Sequence, residues 1–423
     1  MAFISRNFQS GITEAFSDRN FRIYSVGSIT SWITFFIQLI AVNWYAWEIT
    51  QSTAWLAIIT LMDILPTILF MPFCGALADR YDRLKIWKIS NFLLLSQAVL
   101  IAYLAWIDQL PIITLAALVF IHGIFVALTV PAMNSMLPRF IAKEKLTSAI
   151  AVNASYTQFA VFVGPALAGF LIANFDIAIA FGINAFGYMV LLLVIYTLKT
   201  PEDFTSPTKS EKSIMADIQD GFSYIFKHPQ FMPIVILMLL GDFLMSAVYY
   251  MTPAFSDQLL EAGVIGVSAI LAARGIGATI TALWLAHGGE ALIIPHRIIW
   301  AFLISMIALV IMYLFPNLYI AIAMSVIMGL AGEFRRTLSY SYIQVEVIEE
   351  QRGRVMGSLF MLGQCAGGIG TYIVGAIAVN YGLIIPTLLA AAFCFAIWLI
   401  LFIRRPITSK DGSIPQAHSL QDR

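Results

Sequence analysis

The sequence predicts an all-α membrane protein of twelve transmembrane helices in two pseudo-symmetric bundles of six, and three observations carry that expectation. First, 60% of the 423 residues are hydrophobic and only 11% are charged, whereas a soluble domain carries about 25% charged residues. Second, twelve windows of about twenty residues are apolar enough to cross a bilayer. Third, the chain matches itself: setting 136–174 against 342–380 superposes Gln158 on Gln364, Gly164 on Gly370, Gly169 on Gly375 and Asn174 on Asn380.

Taken in order, residues 1–19 are mixed polar and precede a full-length apolar span, which is not the form of a cleaved signal peptide. Six spans centred on Ile33, Pro66, Leu95, Ile121, Phe162 and Val190 make a first bundle over 20–199. The interval 200–230 is the longest polar break, holding Pro201, Pro207, Lys209, Glu211 and Lys212, and reads as a linker. Its later part, 215–227, has the pattern of an amphipathic helix lying along a membrane surface. Spans centred on Leu240, Ala272, Ile304, Ile327, Gly367 and Phe393 make a second bundle over 231–404, and 405–423 form a polar tail.

Basic residues set the orientation. Of the 24 Lys and Arg, all but Arg274 fall in or beside every second connection. The connections near Gln51, Gln109, Asp176, Gln258, Pro316 and Tyr381 hold none. The positive-inside rule then places both termini in the cytoplasm, which requires an even number of crossings. The formal net charge is zero, so no global field argues for nucleic acid as a partner. Cys74, Cys365 and Cys394 all lie in apolar segments, without zinc or disulfide spacing.

The connection between the second and third spans, Gly75-Ala76-Leu77-Ala78-Asp79-Arg80-Tyr81-Asp82-Arg83-Leu84-Lys85, turns an apolar run into a charged turn. Gly75 permits close helix approach, and Arg80, Arg83 and Lys85 hold the turn at a lipid surface. This stretch resembles the signature loop of the major facilitator superfamily, departing from it where Asp82 replaces the second glycine. Such an aspartate is familiar in the exporter-like branch that includes enterobactin exporters. Gly164-Pro165-Ala166-Leu167-Ala168-Gly169 is similar to the fifth-helix antiporter motif of that superfamily. Pro138-Arg139, and Gln344 followed by Arg352-Gly353-Arg354, resemble loops before the fifth and eleventh spans of the same branch. The resemblance runs from Asn20 to Arg405. It implies parallel six-helix halves around a midplane substrate site, the arrangement of facilitator-type transporters. It also implies a cytoplasmic gate in which Asp79 engages the start of the eleventh span near Arg354, where a helix N-terminus favours negative charge.

Ionisable residues inside spans cost at least about 2.5 to 3.5 kcal/mol at the bilayer centre, so each asks for a reason. Arg274 lies about twelve residues, roughly 18 Å, from the cytoplasmic end of its span, and Asp242 reaches nearly the same depth in the preceding one. They read either as a substrate and proton site or as a permanent ion pair. Asp63, three residues before Pro66, is a candidate for proton coupling or substrate contact, against the alternative of a polar bond to a neighbouring helix. Glu333, Arg335 and Arg336 read as a vestibule-facing cluster, with a gate as the alternative. A lone His122 among apolar neighbours reads as a bonded side chain rather than a relay. Gln158 and Gln364 are candidates for the central cavity or for interhelical bonds, and Trp32 for stacking on a planar substrate.

These readings converge on a secondary transporter of a bacterial inner membrane working by alternating access, with lipid and a small-molecule substrate as its partners, as a monomer. No ATP-binding loop, His-Glu-x-x-His, Gly-x-Ser-x-Gly or metal-ligand set occurs. An enzyme or a cofactor is therefore not expected, and a proton gradient is the expected driver. The exporter-branch resemblance implies efflux of a siderophore or drug-like molecule. A metabolite importer or symporter and a non-transporting receptor or scaffold are the alternatives.

Overall fold

The computed structural model describes residues 16–136, 141, 145–198, 214–288 and 295–404. Thirteen α-helices occur among them: α1 (Arg19–Thr50), α2 (Thr53–Arg80), α3 (Arg83–Trp106), α4 (Ile112–Met136), α5 (Leu146–Asn174), α6 (Ile177–Thr197), α7 (Ile214–Lys227), α8 (Met232–Gln258), α9 (Gly263–Gly288), α10 (Pro295–Leu314), α11 (Leu318–Glu346), α12 (Glu349–Tyr381) and α13 (Ile384–Arg404). Among the described residues, twelve spans are long and apolar enough to cross a membrane, and each contains one of the predicted centres. The chain is a multi-pass membrane protein. The remaining helix, α7, is the amphipathic segment expected in the linker.

Helix ends follow local chemistry. The carboxylate of Asp18 accepts from the backbone N–H of Asn20 at 2.8 Å and starts α1, and Asp176 does the same for α6 through Ala178 at 2.7 Å. Each satisfies an N–H that a helix start leaves without an intrahelical partner. Between α1 and α2 the chain turns at Gln51, whose N–H makes the last helical bond to the carbonyl of Trp47 at 2.7 Å and whose positive φ of 47° ends the helix. The charged connection after α2 is shorter than the sequence suggested. The helix runs through Asp79 to Arg80, and only Tyr81 and Asp82 separate it from α3. Asp82 caps α3, accepting from Leu84 N at 2.9 Å and Lys85 N at 3.3 Å. A side-chain cap therefore stands where the superfamily motif has a glycine.

Two compact units are present. The first comprises residues 1–211 with 250–275, and the second 212–249 with 276–423. The first unit therefore holds α1–α6 together with the end of α8 and the start of α9. In it α2 packs on α4, α1 on α5 and α6, and α3 on α4 and α6. Its apolar core gathers Phe21, Tyr24, Trp87, Met136 and Ile195. The start of α9 is tied in by Ser268 against Gly169, and Gly275 lies so close to Phe162 that a Cβ would meet the phenylalanine Cβ at 2.8 Å. Trp47, fully buried, donates its indole N–H to Asp257 at 2.9 Å.

In the second unit α10 packs on α11 and α13, and α7 on α12. The indole of Trp398 donates to the carbonyl of Ile299 at 3.0 Å and stacks on Phe402 with centroids 5.2 Å apart. Helix α7 comes so near α12 at Gly221 that a Cβ would meet the carbonyl oxygen of Arg354 at 2.6 Å.

Candidate functional site

Among the described residues each unit holds a buried pair of ionisable side chains, and the two pairs differ in chemistry. In the first unit Asp63 on α2 meets His122 on α4, with Oδ1 3.0 Å from Nδ1. The histidine side chain is 8% exposed and the aspartate 27%. The helices come this close because Gly123 follows His122. A Cβ at Gly123 would sit 2.5 Å from both the carbonyl oxygen of Asp63 and Cγ of Pro66. Thr67 ties the same crossing, its hydroxyl lying 3.0 Å from the Asp63 carbonyl and 3.1 Å from that of Gly123. On its other side His122 Nε2 lies 3.4 Å from Tyr188 Oη, and Phe35 stacks on the imidazole. Beside the pair is a void of about 30 Å³, lined among others by Gln38, Asn43, Thr60 and Tyr250. That is enough room for a water molecule. Gln38 Oε1 and Asn43 Oδ1 are buried there without a hydrogen-bond partner among the described residues. The direction of the Asp63–His122 hydrogen bond depends on the histidine tautomer. A neutral imidazole donates from Nδ1 to the carboxylate and accepts at Nε2; an imidazolium donates from both nitrogens.

In the second unit Asp242 on α8 pairs with Arg335 on α11, Oδ1 to Nη2 at 3.0 Å, with side-chain exposures of 21% and 3%. Arg335 Nη1 also donates to the carbonyls of Met238 at 3.0 Å and Leu237 at 3.4 Å. Gly241 makes room, since any Cβ there would overlap the guanidinium. Gly363 on α12 closes the far side, where a Cβ would lie 2.7 Å from Asp242 Oδ2. An arginine does not release its proton in a protein, so this carboxylate is held against a permanent charge.

The geometry bears on two expectations. Asp242 pairs with Arg335 within its own unit, because Gly241 turns the open face of α8 towards α11. Arg335 accordingly leaves the proposed vestibule cluster. Glu333 and Arg336 pair with each other along α11, Oε2 to Nη2 at 2.8 Å, and Glu333 Oε1 accepts from Thr337 at 2.9 Å. His122 is bonded as expected, but its partner is the very aspartate singled out as a proton carrier.

The other candidates lie as follows. Trp32 stacks on Phe36 and lines a cavity of the first unit. Gln158 on α5, Gln364 on α12 and Arg274 on α9 are partly buried. Gly164 of the antiporter-like motif is a crossing point, where a Cβ would meet Phe36 Cβ at 2.5 Å, with Pro165 inside the same helix. Gly75 has nothing within 4 Å of a built Cβ, so close packing does not explain it. The side chains of Asp79 and Arg80, together with Pro138 and Arg139, lie outside the described residues. Arg83 and Arg352 are partly buried, and Arg354 meets Asp220 of α7 at 3.5 Å.

Twelve spans, no strand among the described residues and buried charge within the helices define a transporter of the major facilitator class. A family model described as transmembrane secretion effector matches residues 11–422, and the chain belongs to that family. It is 24% identical to macrolide efflux protein A of Streptococcus pyogenes over 365 residues, 84% of this chain and 89% of that protein. It is also 24% identical to the enterobactin exporter of Escherichia coli over 332 residues, 77% of this chain and 76% of that protein. Among solved structures, a bacterial homologue of the human lysosomal transporter Spinster, inward-facing and occupied, superposes with a TM-score of 0.72 at 14% identity, covering 93% of this chain and 98% of that one.

Proposed function

We propose that the protein is a proton-coupled exporter of a drug-like small molecule or siderophore, working in a bacterial inner membrane as a monomer with both termini cytoplasmic. Its two halves alternate in exposing a central site. The observation that carries the coupling is the Asp63–His122 pair. A carboxylate and an imidazole touch there, and a small cavity adjoins them. Asp242 is assigned a fixed role instead, because its partner is an arginine. Export is favoured by the relatives, which are efflux and siderophore-export proteins. Asp79 keeps its proposed part in a cytoplasmic gate.

The test is reconstitution in proteoliposomes with macrolides and catecholate chelators as substrates. Wild type is expected to accumulate one of them in response to an imposed pH gradient. Asp63→Asn and His122→Gln are expected to lose that response while retaining downhill exchange. Uphill transport by Asp63→Asn with unchanged dependence on the gradient would overturn the assignment.

A further inference from the structure

In the second unit, helix α11 carries two exposed faces of opposite character. Ala323, Phe334 and Val345 recur every eleven residues, which is about three turns and returns to nearly the same side of a helix. Ala323 and Val345 are exposed, and the ring of Phe334 stacks on the exposed Trp284 of α9 with centroids 5.4 Å apart. That apolar side is the one suited to lipid. Arg336 follows Phe334 by two residues, which places it about 200° further round the axis, and its side chain is 54% exposed. On the same side and one turn earlier, a Cβ built at Gly332 meets nothing within 4 Å.

The guanidinium lies inside the span. Arg336 is ten residues, roughly 15 Å, from the end of α11 at Glu346. It does not snorkel. A side chain seeking the headgroups would extend towards Glu346, whereas Arg336 reaches back one turn to Glu333, further from that end. Charged side chains at such depth face a bundle interior or a water-filled space rather than lipid. The donors of Arg336 divide into two edges. Nε lies 3.1 Å from Glu333 Oε2, and Nη2 lies 3.0 and 2.8 Å from the two carboxylate oxygens. Nη1, which carries two N–H groups, has no bond among the described residues. Glu333 is 11% exposed and also accepts from Thr337 Oγ1 at 2.9 Å, so it is fixed in place. The other carboxylate acting on Arg336, Asp242, is held by Arg335. Each carboxylate thus has an arginine of its own, and the Nη1 edge is left for an occupant.

We infer that Arg336 is the recognition point for a carboxylate of the transported molecule, which lies end-on across Nη1 and Nη2 while Glu333 keeps the Nε edge. A guanidinium fork matches a carboxylate on either edge through two parallel N–H bonds. Glu333 has two effects: it neutralises the arginine within the membrane, and it competes with an arriving anion for the same charge. The inference rests on the export reading and names one chemical group of the exported molecule.

The experiment is ligand-observed NMR on the full chain in phosphatidylcholine nanodiscs, with benzoate, benzamide and phenyltrimethylammonium, each referenced to its partition into empty nanodiscs. Benzoate is expected to bind tighter than its neutral isostere benzamide by roughly three- to tenfold, a charged hydrogen bond weakened by the half-exposed setting of Arg336. Arg336→Gln should level the two. Glu333→Gln should raise the affinity for benzoate and leave that for benzamide unchanged, because the rival carboxylate is gone while the amide oxygen still accepts from Arg336. Equal binding of benzoate and benzamide in wild type, or tighter binding of phenyltrimethylammonium, would overturn the proposal. So would a preference for benzoate that survives in Arg336→Gln, or one that Glu333→Gln does not increase. Replacing part of the lipid by phosphatidylglycerol separates the two sources of an anion. Benzoate binding that persists supports a soluble carboxylate, and binding that is lost would assign the site to a lipid headgroup and overturn the proposal. The wild-type comparison stands even where a variant does not fold. No gradient is applied, so failure of anion recognition and failure of proton coupling are read separately.

Discussion

Removing Arg335 tests whether the second unit is strapped by its buried charge. In Arg335→Met the carboxylate of Asp242 loses a 3.0 Å charged partner, while Leu237 and Met238 lose only supplementary donors to their carbonyls. Breaking a buried ion pair from one side costs about 3–5 kcal/mol, chiefly for the charge left behind. Asp242 keeps 21% exposure, which puts the expected loss near the lower end. About 3 kcal/mol is roughly a hundredfold in the unfolding equilibrium. Adding Asp242→Asn removes the stranded charge and should recover more than half of the loss. The assay is reversible unfolding in mixed micelles, followed by circular dichroism and analysed as a double-mutant cycle. Polar pairs inside a membrane protein couple by about 0.6 kcal/mol on average and at most about 1.7. A coupling above about 1.5 kcal/mol is therefore expected here. A value near the average would refute the strap, because the arginine would then be no more than a convenient partner.

Three further outcomes follow from single contacts. Gly123→Val should cost about 1–3 kcal/mol of stability, the range for overpacking, and should weaken gradient-driven transport. Its side chain would force apart the crossing that brings Asp63 to His122, and thermal unfolding with a transport assay checks both. Asp82→Ala should cost about 0.5–2 kcal/mol by removing the cap of α3, whereas Asp82→Gly should cost only a few tenths. Equal losses in the two variants would show that the cap is not what the aspartate supplies. Trp47→Phe removes the bond to Asp257, a charged hydrogen bond of about 1.5–3 kcal/mol. In a background without the three native cysteines it should speed labelling of a cysteine at the buried position of Ala254 by a membrane-impermeant reagent.

The spans were legible in the sequence because membrane insertion is written in length and apolarity, both of which a linear reading measures. The start of α3 was legible only in part. Asp82 could be seen to depart from a glycine, yet its value lies in reaching Leu84 N, which becomes apparent when α2 continues to Arg80. Pairing was the hard part. Depth along a helix follows from residue number, but the direction a side chain takes around the axis depends on which neighbour packs closest. Small residues decide that. Gly241 opens α8 to Arg335, and Gly123 opens α4 to Asp63. Both glycines stand next to the charge they serve, directly before Asp242 and directly after His122, so a glycine adjoining an intramembrane ionisable residue was the signal available in the sequence.

That signal also separates the two charge centres by what they can do. A guanidinium cannot give up its proton, so the Asp242–Arg335 pair responds to protonation only through its carboxylate, and protonating that carboxylate would strand the arginine's charge in a 3% exposed site. At Asp63 and His122 a proton arriving on either partner converts the contact between two states that the same atoms accommodate. One is a neutral imidazole donating to a carboxylate; the other is an imidazolium donating on both sides, to Asp63 and to Tyr188. A coupling site must occupy both states without losing its fold. The first unit is therefore where proton uptake is expected to act.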